Sequence, residues 1–153
     1  MYSQIKDSKL LTPKKRDVLN EFIISESICY SIVEIDDKTI DKKGIAHATR
    51  TGFSNSVGGL EKNPQYVLTD YFTIHEIPLE RQTNLTSGEN YSISIAAASI
   101  LAKVYRDNIM VRMHDKYPKY GFDRHKGYGT KAHKEAISKY GLCDIHRKSF
   151  KTY

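Results

Sequence analysis

From Ser92 to Asp107 the chain reads Ser-Ile-Ser-Ile-Ala-Ala-Ala-Ser-Ile-Leu-Ala-Lys-Val-Tyr-Arg-Asp, and this run restricts the fold more than any other part of the sequence. It predicts a helix from Ala96 to about Met113 whose small residues allow close approach to a sheet. The same helix carries Asp107, with Ser99 and Lys103 four and eight residues earlier on nearly the same face. A basic, tyrosine-rich segment follows directly. A carboxylate placed there can hold a metal beside a nucleic-acid backbone.

Other elements can be read around this helix. Thr12-Pro13 is an N-cap followed by proline at the first helical position, and predicts a helix to about Ser25 with Val18, Leu19, Phe22 and Ile23 on its apolar face. Residues 28–35 are β-branched and aromatic with partial alternation, the pattern of a strand. From Asp41, apolar and small residues recur at helical spacing until Gly58-Gly59. Tyr66 to Thr69 predicts a short strand ending at Asp70, residues 71–90 a long loop, and Tyr91 to Ile95 a possible third strand. Thr130 can cap a last helix that ends near Tyr140-Gly141. Helices alternating with short strands imply an α/β layer structure, yet the strands are too few for a covered sheet of ordinary size.

A chain of 153 residues has the length of one domain. With 39% hydrophobic and 27% charged residues it matches neither a disordered nor a membrane-embedded chain. No apolar run approaches a membrane span and the first 20 residues carry no signal-peptide core, so a cytoplasmic protein is expected. Cys29 and Cys143 have no metal-ligand spacing and read as two reduced thiols. Lys plus Arg outnumber Asp plus Glu by 24 to 18, a surplus that attracts polyanions. The surplus is concentrated at Lys116, Lys119, Arg124, Lys126, Lys131 and Lys134, interleaved with Tyr117, Tyr120, Phe122 and Tyr128. Cations beside flat rings suit phosphates and sugar or base faces; alternatively the rings pack a C-terminal helix onto the core.

Asp70 falls at the carboxyl end of a strand, where α/β proteins place ligands and catalytic groups. With Asp107 it could converge on a hard cation such as Mg²⁺; the competing readings are a turn residue at Asp70 and a surface ion-pair partner at Asp107. Gly58-Gly59 leads to no phosphate-loop Lys-Ser or Lys-Thr, the six histidines form no HExxH-like pair, and no serine sits on a nucleophile elbow.

The chain resembles ribonuclease HII, the type 2 ribonuclease H family. The resemblance runs through Asp7-Ser8-Lys9-Leu10, Asp41-x-x-x-Ile45-x-x-Ala48-Thr49, Val67-Leu68-x-Asp70 and Gly88. It continues through Ser94-Ile95-Ala96-Ala97-Ala98-Ser99-Ile100-x-Ala102-Lys103-Val104-x-Arg106-Asp107, Tyr117-Pro118-x-Tyr120-Gly121-Phe122, His125-Lys126-Gly127-Tyr128-Gly129-Thr130-x-x-His133 and His146-Arg147-x-Ser149-Phe150. It implies a ribonuclease H-like mixed sheet flanked by helices over about residues 1–113, and a C-terminal helical extension over about 114–153. The implied activity is endonucleolytic cleavage of RNA in RNA–DNA hybrids and at ribonucleotides embedded in duplex DNA. The resemblance further implies a two-metal scheme in which Mg²⁺ or Mn²⁺ ions held by four acids would activate water and stabilise the leaving 3′ oxygen, giving 5′-phosphate and 3′-hydroxyl ends. By position Asp70 and Asp107 match the third and fourth acids and Tyr128 the tyrosine that packs on the sugar at an RNA-to-DNA junction. Lys9 falls in a motif along the substrate backbone, and Lys103 near the site. The partner is then the hybrid or ribonucleotide-containing duplex, bound by a monomer with no membrane involved.

Departures from the family's pattern are equally specific. Its opening Asp-Glu-x-Gly-Arg-Gly strand, the source of two acids, does not occur in these residues; Asp36-Asp37 matches a different part of the family. Gly44 stands for an asparagine, Ser87-Gly88-Glu89 for Lys-Gly-Asp, and Tyr71 for the glycine after Asp70. The expectation is therefore a family member without its amino-terminal strands, as an internal start or a frameshift would leave it, and inactive as written. The alternatives are a catalytically dead remnant that binds nucleic acid, and a fragment that does not fold alone. Translation of the nucleotide sequence upstream of Met1 is expected to yield an Asp-Glu-x-Gly-Arg-Gly in some frame; its absence shifts weight to the binding remnant.

Overall fold

The computed structural model describes residues 1–150. The elements are mostly helices, with one small two-stranded parallel sheet, the mixed α/β class expected. Helix α1 (Pro13–Glu26) starts where Thr12 accepts a hydrogen bond from the Lys15 N–H. The single helix expected from Asp41 to Gly58 is two, α2 (Asp37–Lys43) and α3 (Ile45–Gly58). Asp36 caps α2 by accepting the Thr39 N–H at 2.8 Å, and Gly44 ends it at φ +82°, a left-handed conformation that helical spacing alone does not announce.

Strand β1 (Val67–Asp70) pairs in parallel with β2 (Gln82–Leu85), in register from Val67↔Gln82 to Asp70↔Leu85. The second strand lies inside the stretch expected to be loop. Its sequence, Gln-Thr-Asn-Leu, has no apolar alternation because two of its side chains are occupied with the connecting backbone. The Gln82 side chain is buried, donates to the Ile74 carbonyl at 2.8 Å and accepts from the Ile74 N–H at 3.0 Å. Asn84 donates to Thr69 Oγ1 at 2.7 Å and to the Phe72 carbonyl at 3.0 Å. A buried and a half-buried polar side chain thus satisfy a loop that would otherwise orphan its own N–H and C=O groups. Residues 28–35 form no strand, since β propensity becomes a strand only where a partner supplies the ladder. The possible strand at Tyr91 to Ile95 instead runs into helix α4 (Ile93–Lys116), entered as the Ala96 N–H donates to the Ser92 carbonyl. Helices α5 (Phe122–His125) and α6 (Lys131–Tyr140) complete the elements used below.

Residue contacts divide the chain into two units, and the division falls inside α4. The first holds Met1–Ile35 and Ile45–Val104, the second Asp36–Gly44 and the chain from Tyr105 on. In the first unit Leu19 and Ile23 of α1 pack with Leu11 and with Ile100, Leu101 and Val104 of α4, joined by Ile5, Ile32 and Ala97. Spacings of three and four residues put each set on one helix face. In the second unit Met110, Tyr120, Phe122 and Ile137 form the core, with Tyr117, Cys143 and Ile145 against it. There Asp41 accepts from the Lys148 and Ser149 N–H groups at 2.8 and 2.9 Å, tying α2 to the last described segment. No helix of the described residues is long and apolar enough to cross a membrane.

Truncating Ile100, which has no exposed surface, to alanine should cost about 3 kcal/mol, whereas Ile28→Ala at a side chain 80% exposed should change stability by less than about 0.5 kcal/mol. The shift of the urea midpoint at constant slope measures both; equal effects would show that the first core is not the one described.

Candidate functional site

In the first unit, Asp70 ends β1, the adjoining Tyr71 sits at φ +73°, and the Asp70 Oδ1 accepts the Gly88 N–H at 3.0 Å. Gly88 is buried, and a Cβ there would lie 2.6 Å from Ile95 Cδ1 and 3.2 Å from Leu85 Cβ. Only glycine lets the backbone come this close to the strand end. The next residue, Glu89, accepts from Lys9 Nζ at 2.9 Å through one oxygen and from Ser99 Oγ at 3.2 Å through the other. Ser99 Oγ in turn lies 2.9 Å from the buried Ser8 Oγ.

Lys9 is presented by a short turn, Ser8–Leu10, that Asp7 caps by accepting the Lys9 N–H at 2.8 Å. Behind it the buried Arg16 guanidinium donates to the carbonyls of Ser8 at 3.0 Å and Leu11 at 2.6 Å, so the turn is anchored from the core side. The bond to Glu89 raises the Lys9 ammonium above the ordinary lysine value against some desolvation, and Asp7 and Asp70 add attraction. The Lys9 N–H holds the Asp7 carboxyl below its ordinary value against the cost of burial, with Glu89 and the Lys9 ammonium acting in the same direction. Three carboxylates, Asp7, Asp70 and Glu89, thus act on one ammonium.

Oxygen donors of this kind suit a hard divalent cation. Among the described residues, however, no three His, Cys, Asp or Glu side chains group closely enough to hold a metal ion. The donor chemistry fits the ion; the donor number is incomplete. Lys103 lies on α4 in the first unit, and Asp107 on the same helix in the second. Desolvation lowers the Arg106 guanidinium from its usual value, Tyr128 and Asp107 oppose that, and Arg147 adds to it.

The structure separates the interleaved rings of the second unit. Tyr120 and Phe122 are buried and stacked at 5.5 Å, and Tyr117 packs against the same core, whereas Tyr128 is 60% exposed. For Tyr117, Tyr120 and Phe122 the packing alternative therefore holds. Tyr128 rides on a tight turn, its N–H donating to the His125 carbonyl at 2.9 Å and its carbonyl accepting from Thr130 at 2.8 Å. Gly127 opens that turn at φ +81°, where a Cβ would meet Met110 Cε at 3.2 Å and Arg106 Nη2 at 3.3 Å. Of the basic residues, Lys131 lies 3.9 Å from Glu135 and Lys119 stands over the Tyr140 ring at 5.4 Å.

Glu89 is the residue that sequence reasoning passed over. Its signal was available, since an acid follows glycine where the family carries Lys-Gly-Asp; what pointed away was the change of residue type on both sides of Gly88.

The family profile described as Ribonuclease HII matches residues 2–153. The ribonuclease HII of Caldicellulosiruptor saccharolyticus is 49% identical over 146 residues, covering 95% of this chain and 71% of that protein. That of Chlamydia caviae is 41% identical over 152 residues, covering 98% and 70%. A crystal structure of ribonuclease H2 from Pyrococcus horikoshii OT3 superposes with a TM-score of 0.77 at 23% identity, covering 97% of this chain and 78% of that one, a likeness of fold. With a match along almost the whole chain and the Asp70, Gly88 and Lys9 motifs assembled in one unit, this protein is a member of the ribonuclease HII family.

Proposed function

We propose that the chain supplies part of the site of an endoribonuclease that hydrolyses the RNA strand of RNA–DNA hybrids and cuts at ribonucleotides embedded in duplex DNA. The observation that carries this reading is the assembly of Asp70, Gly88, Glu89 and Lys9 at the end of β1. Asp70 and Glu89 are the carboxylates that would hold Mg²⁺ or Mn²⁺. When bound, such an ion supplies Lewis-acid stabilisation of phosphoryl oxygens and a more acidic water. The Gly88 N–H fixes the orientation of Asp70, and Ser99 that of Glu89. Lys9, 73% exposed at its side chain, balances the acids and would reach a backbone phosphate by exchanging its bond to Glu89 for one to the phosphate. Lys103 adds positive charge on α4. Tyr128 offers an exposed ring to the sugar face at an RNA-to-DNA junction, where the 2′-hydroxyl distinguishes the ribonucleotide. Hydrolysis at the 5′ side of the phosphorus leaves 5′-phosphate and 3′-hydroxyl ends.

Asp107, matched by position to a metal-binding acid, is a second candidate for the fourth carboxylate. A binding module without cleavage is the second reading for the protein as a whole, favoured by the exposed Tyr128 ring within the basic Lys116 to Lys134 tract.

The 153-residue chain, incubated with Mg²⁺ or Mn²⁺ and a duplex bearing one ribonucleotide, is expected to give little or no cleavage; robust turnover would remove the claim that two further acids are needed. In a version preceded by the family's Asp-Glu-x-Gly-Arg-Gly segment, Asp70→Asn and Glu89→Gln should each reduce cleavage at least ~100-fold, about 2.7 kcal/mol of transition-state stabilisation. Loss with Asp107→Asn but not with Glu89→Gln would transfer the role to Asp107. No cleavage by the extended chain, with binding of the duplex retained, would favour the binding module. Tyr128→Ala should weaken preference for the junction by about 10-fold, on the scale of one lost base or sugar stacking contact, and weaken general duplex binding less.

A further inference from the structure

The second unit holds three histidines in one packed group that the proposed chemistry does not use. His133 and His146 are 5% and 7% exposed, and their Nε2 atoms lie 3.1 Å apart. His125 stacks on His133 with ring centroids 4.4 Å apart.

Hydrogen bonding assigns a proton to each ring of the pair. The Cys143 backbone N–H donates to His146 Nδ1 at 3.0 Å, and the Cys143 sulfur lies 3.0 Å from the same nitrogen. The Cys143 carbonyl also lies 3.3 Å from Nδ1, but His133 Nδ1 faces the Tyr128 carbonyl, which can only accept. His133 therefore carries its proton on Nδ1 and His146 carries its own on Nε2, leaving His146 Nδ1 to accept the Cys143 N–H. With one proton available between the two Nε2 atoms, His146 donates and His133 accepts. The His133 Nδ1–H donates to the Tyr128 carbonyl at 3.0 Å. Two neutral imidazoles in series therefore connect Cys143 to the turn that carries Tyr128. The same carbonyl accepts the Thr130 N–H, and the Thr130 hydroxyl caps α6 by accepting from the His133 N–H at 3.3 Å.

We propose that His133 and His146 are positioning residues for Tyr128: their neutral relay holds the Tyr128 carbonyl and so the presentation of the exposed ring, and acid releases it. That the ring serves junction recognition rests on the reading above.

A second proton at His133 Nε2 would put two N–H groups nose to nose at 3.1 Å, and one at His146 Nδ1 would oppose the Cys143 N–H at 3.0 Å while facing the Cys143 carbonyl at 3.3 Å. Either would also add charge beside the stacked His125 and beside a cavity whose charged lining, Arg106, Lys134 and Arg147, is wholly cationic. Asp144 bears on Cys143, whose thiol burial pushes above its ordinary value and keeps protonated. Burial holds His133 below the ordinary histidine value, with His125 and His146 adding to this against the pull of the Tyr128 carbonyl; burial also lowers His146, against the pull of the Cys143 backbone. Groups so depressed bind fewer protons in the folded chain than in the unfolded one. The relay is thus fully present above about pH 6.5 and is lost as pH falls from there through the folded values.

The test is ¹H–¹⁵N long-range imidazole spectroscopy of the labelled 153-residue chain, with a titration from pH 7.5 to 5.0. At pH 7.5 His133 should be the Nδ1–H and His146 the Nε2–H tautomer. On acidification the Tyr128 and Thr130 amide signals should move with the His133 midpoint. His146 in the Nδ1–H form, or Tyr128 and Thr130 signals that stay in place while His133 protonates, would overturn the proposal. His146→Gln, which keeps a donor at the Nε2 position, should preserve the Tyr128 signals, and His146→Leu should speed exchange of the Thr130 amide at least 10-fold with the Phe122 ring signals retained. Equal exchange in the two variants would overturn it as well. Junction binding measured across the same pH range separates this idea from the one beneath it. If Tyr128→Ala abolishes junction preference yet preference in the unaltered chain does not fall with the His133 midpoint, the relay fails and Tyr128 keeps its role. If Tyr128→Ala changes nothing, junction recognition by that ring fails, and the spectroscopic arm alone decides the relay.

Discussion

Burial of apolar side chains along α4 underlies the core of each unit. Ala97, Ile100, Leu101 and Val104 are consumed by the core around Leu11, Leu19 and Ile23, and Met110 and Met113, further along the same helix, by the core around Tyr120, Phe122 and Ile137. Apolar burial is non-directional, so this packing by itself would tolerate many arrangements of the polar residues around it. What makes the first unit specific is that Ser99, on the same helix, meets Ser8 and Glu89. The residue that delivers Glu89 its hydrogen bond is therefore placed by the hydrophobic contacts one residue further along.

The segments that carry the candidate site residues are held by polar side chains that serve backbone. Arg16 fixes the turn that carries Lys9, Gln82 and Asn84 fix the connection leaving Asp70, and His133 fixes the turn that carries Tyr128. In each case an irregular segment has its carbonyls or N–H groups satisfied from a side chain on a regular element or its flank. Buried backbone groups without such partners would be costly, so these loops can be both irregular and ordered. A site built this way keeps its geometry without needing long strands.

Much was legible in the residues themselves. Thr12-Pro13 and Thr130 announced their helices, Gly141 the end of the last one, and Asp70 its place after an apolar strand. The family's motifs were legible over nearly the whole length. Gln82–Leu85 was not, because a strand whose side chains hydrogen-bond to a loop carries no apolar alternation. Residues 28–35 misled in the opposite direction, showing strand chemistry where no ladder forms. The rings of the basic tract were open to two readings in the sequence, and burial divides them, three to the core and Tyr128 to the surface.

Sequence alone determined the capped helices, the strand that ends at Asp70, the family and the candidacy of Asp70, Lys9, Lys103, Asp107 and Tyr128, because caps, periodicity and motifs act within a few residues of one another. Tertiary structure decided which acid meets which base. Lys9 and Glu89 are 80 residues apart and touch at 2.9 Å, and His133 and His146, 13 residues apart, bring their Nε2 atoms to 3.1 Å. Such pairs depend on how distant segments are packed and on which buried polar groups remain to be satisfied, and neither quantity exists until the chain has folded.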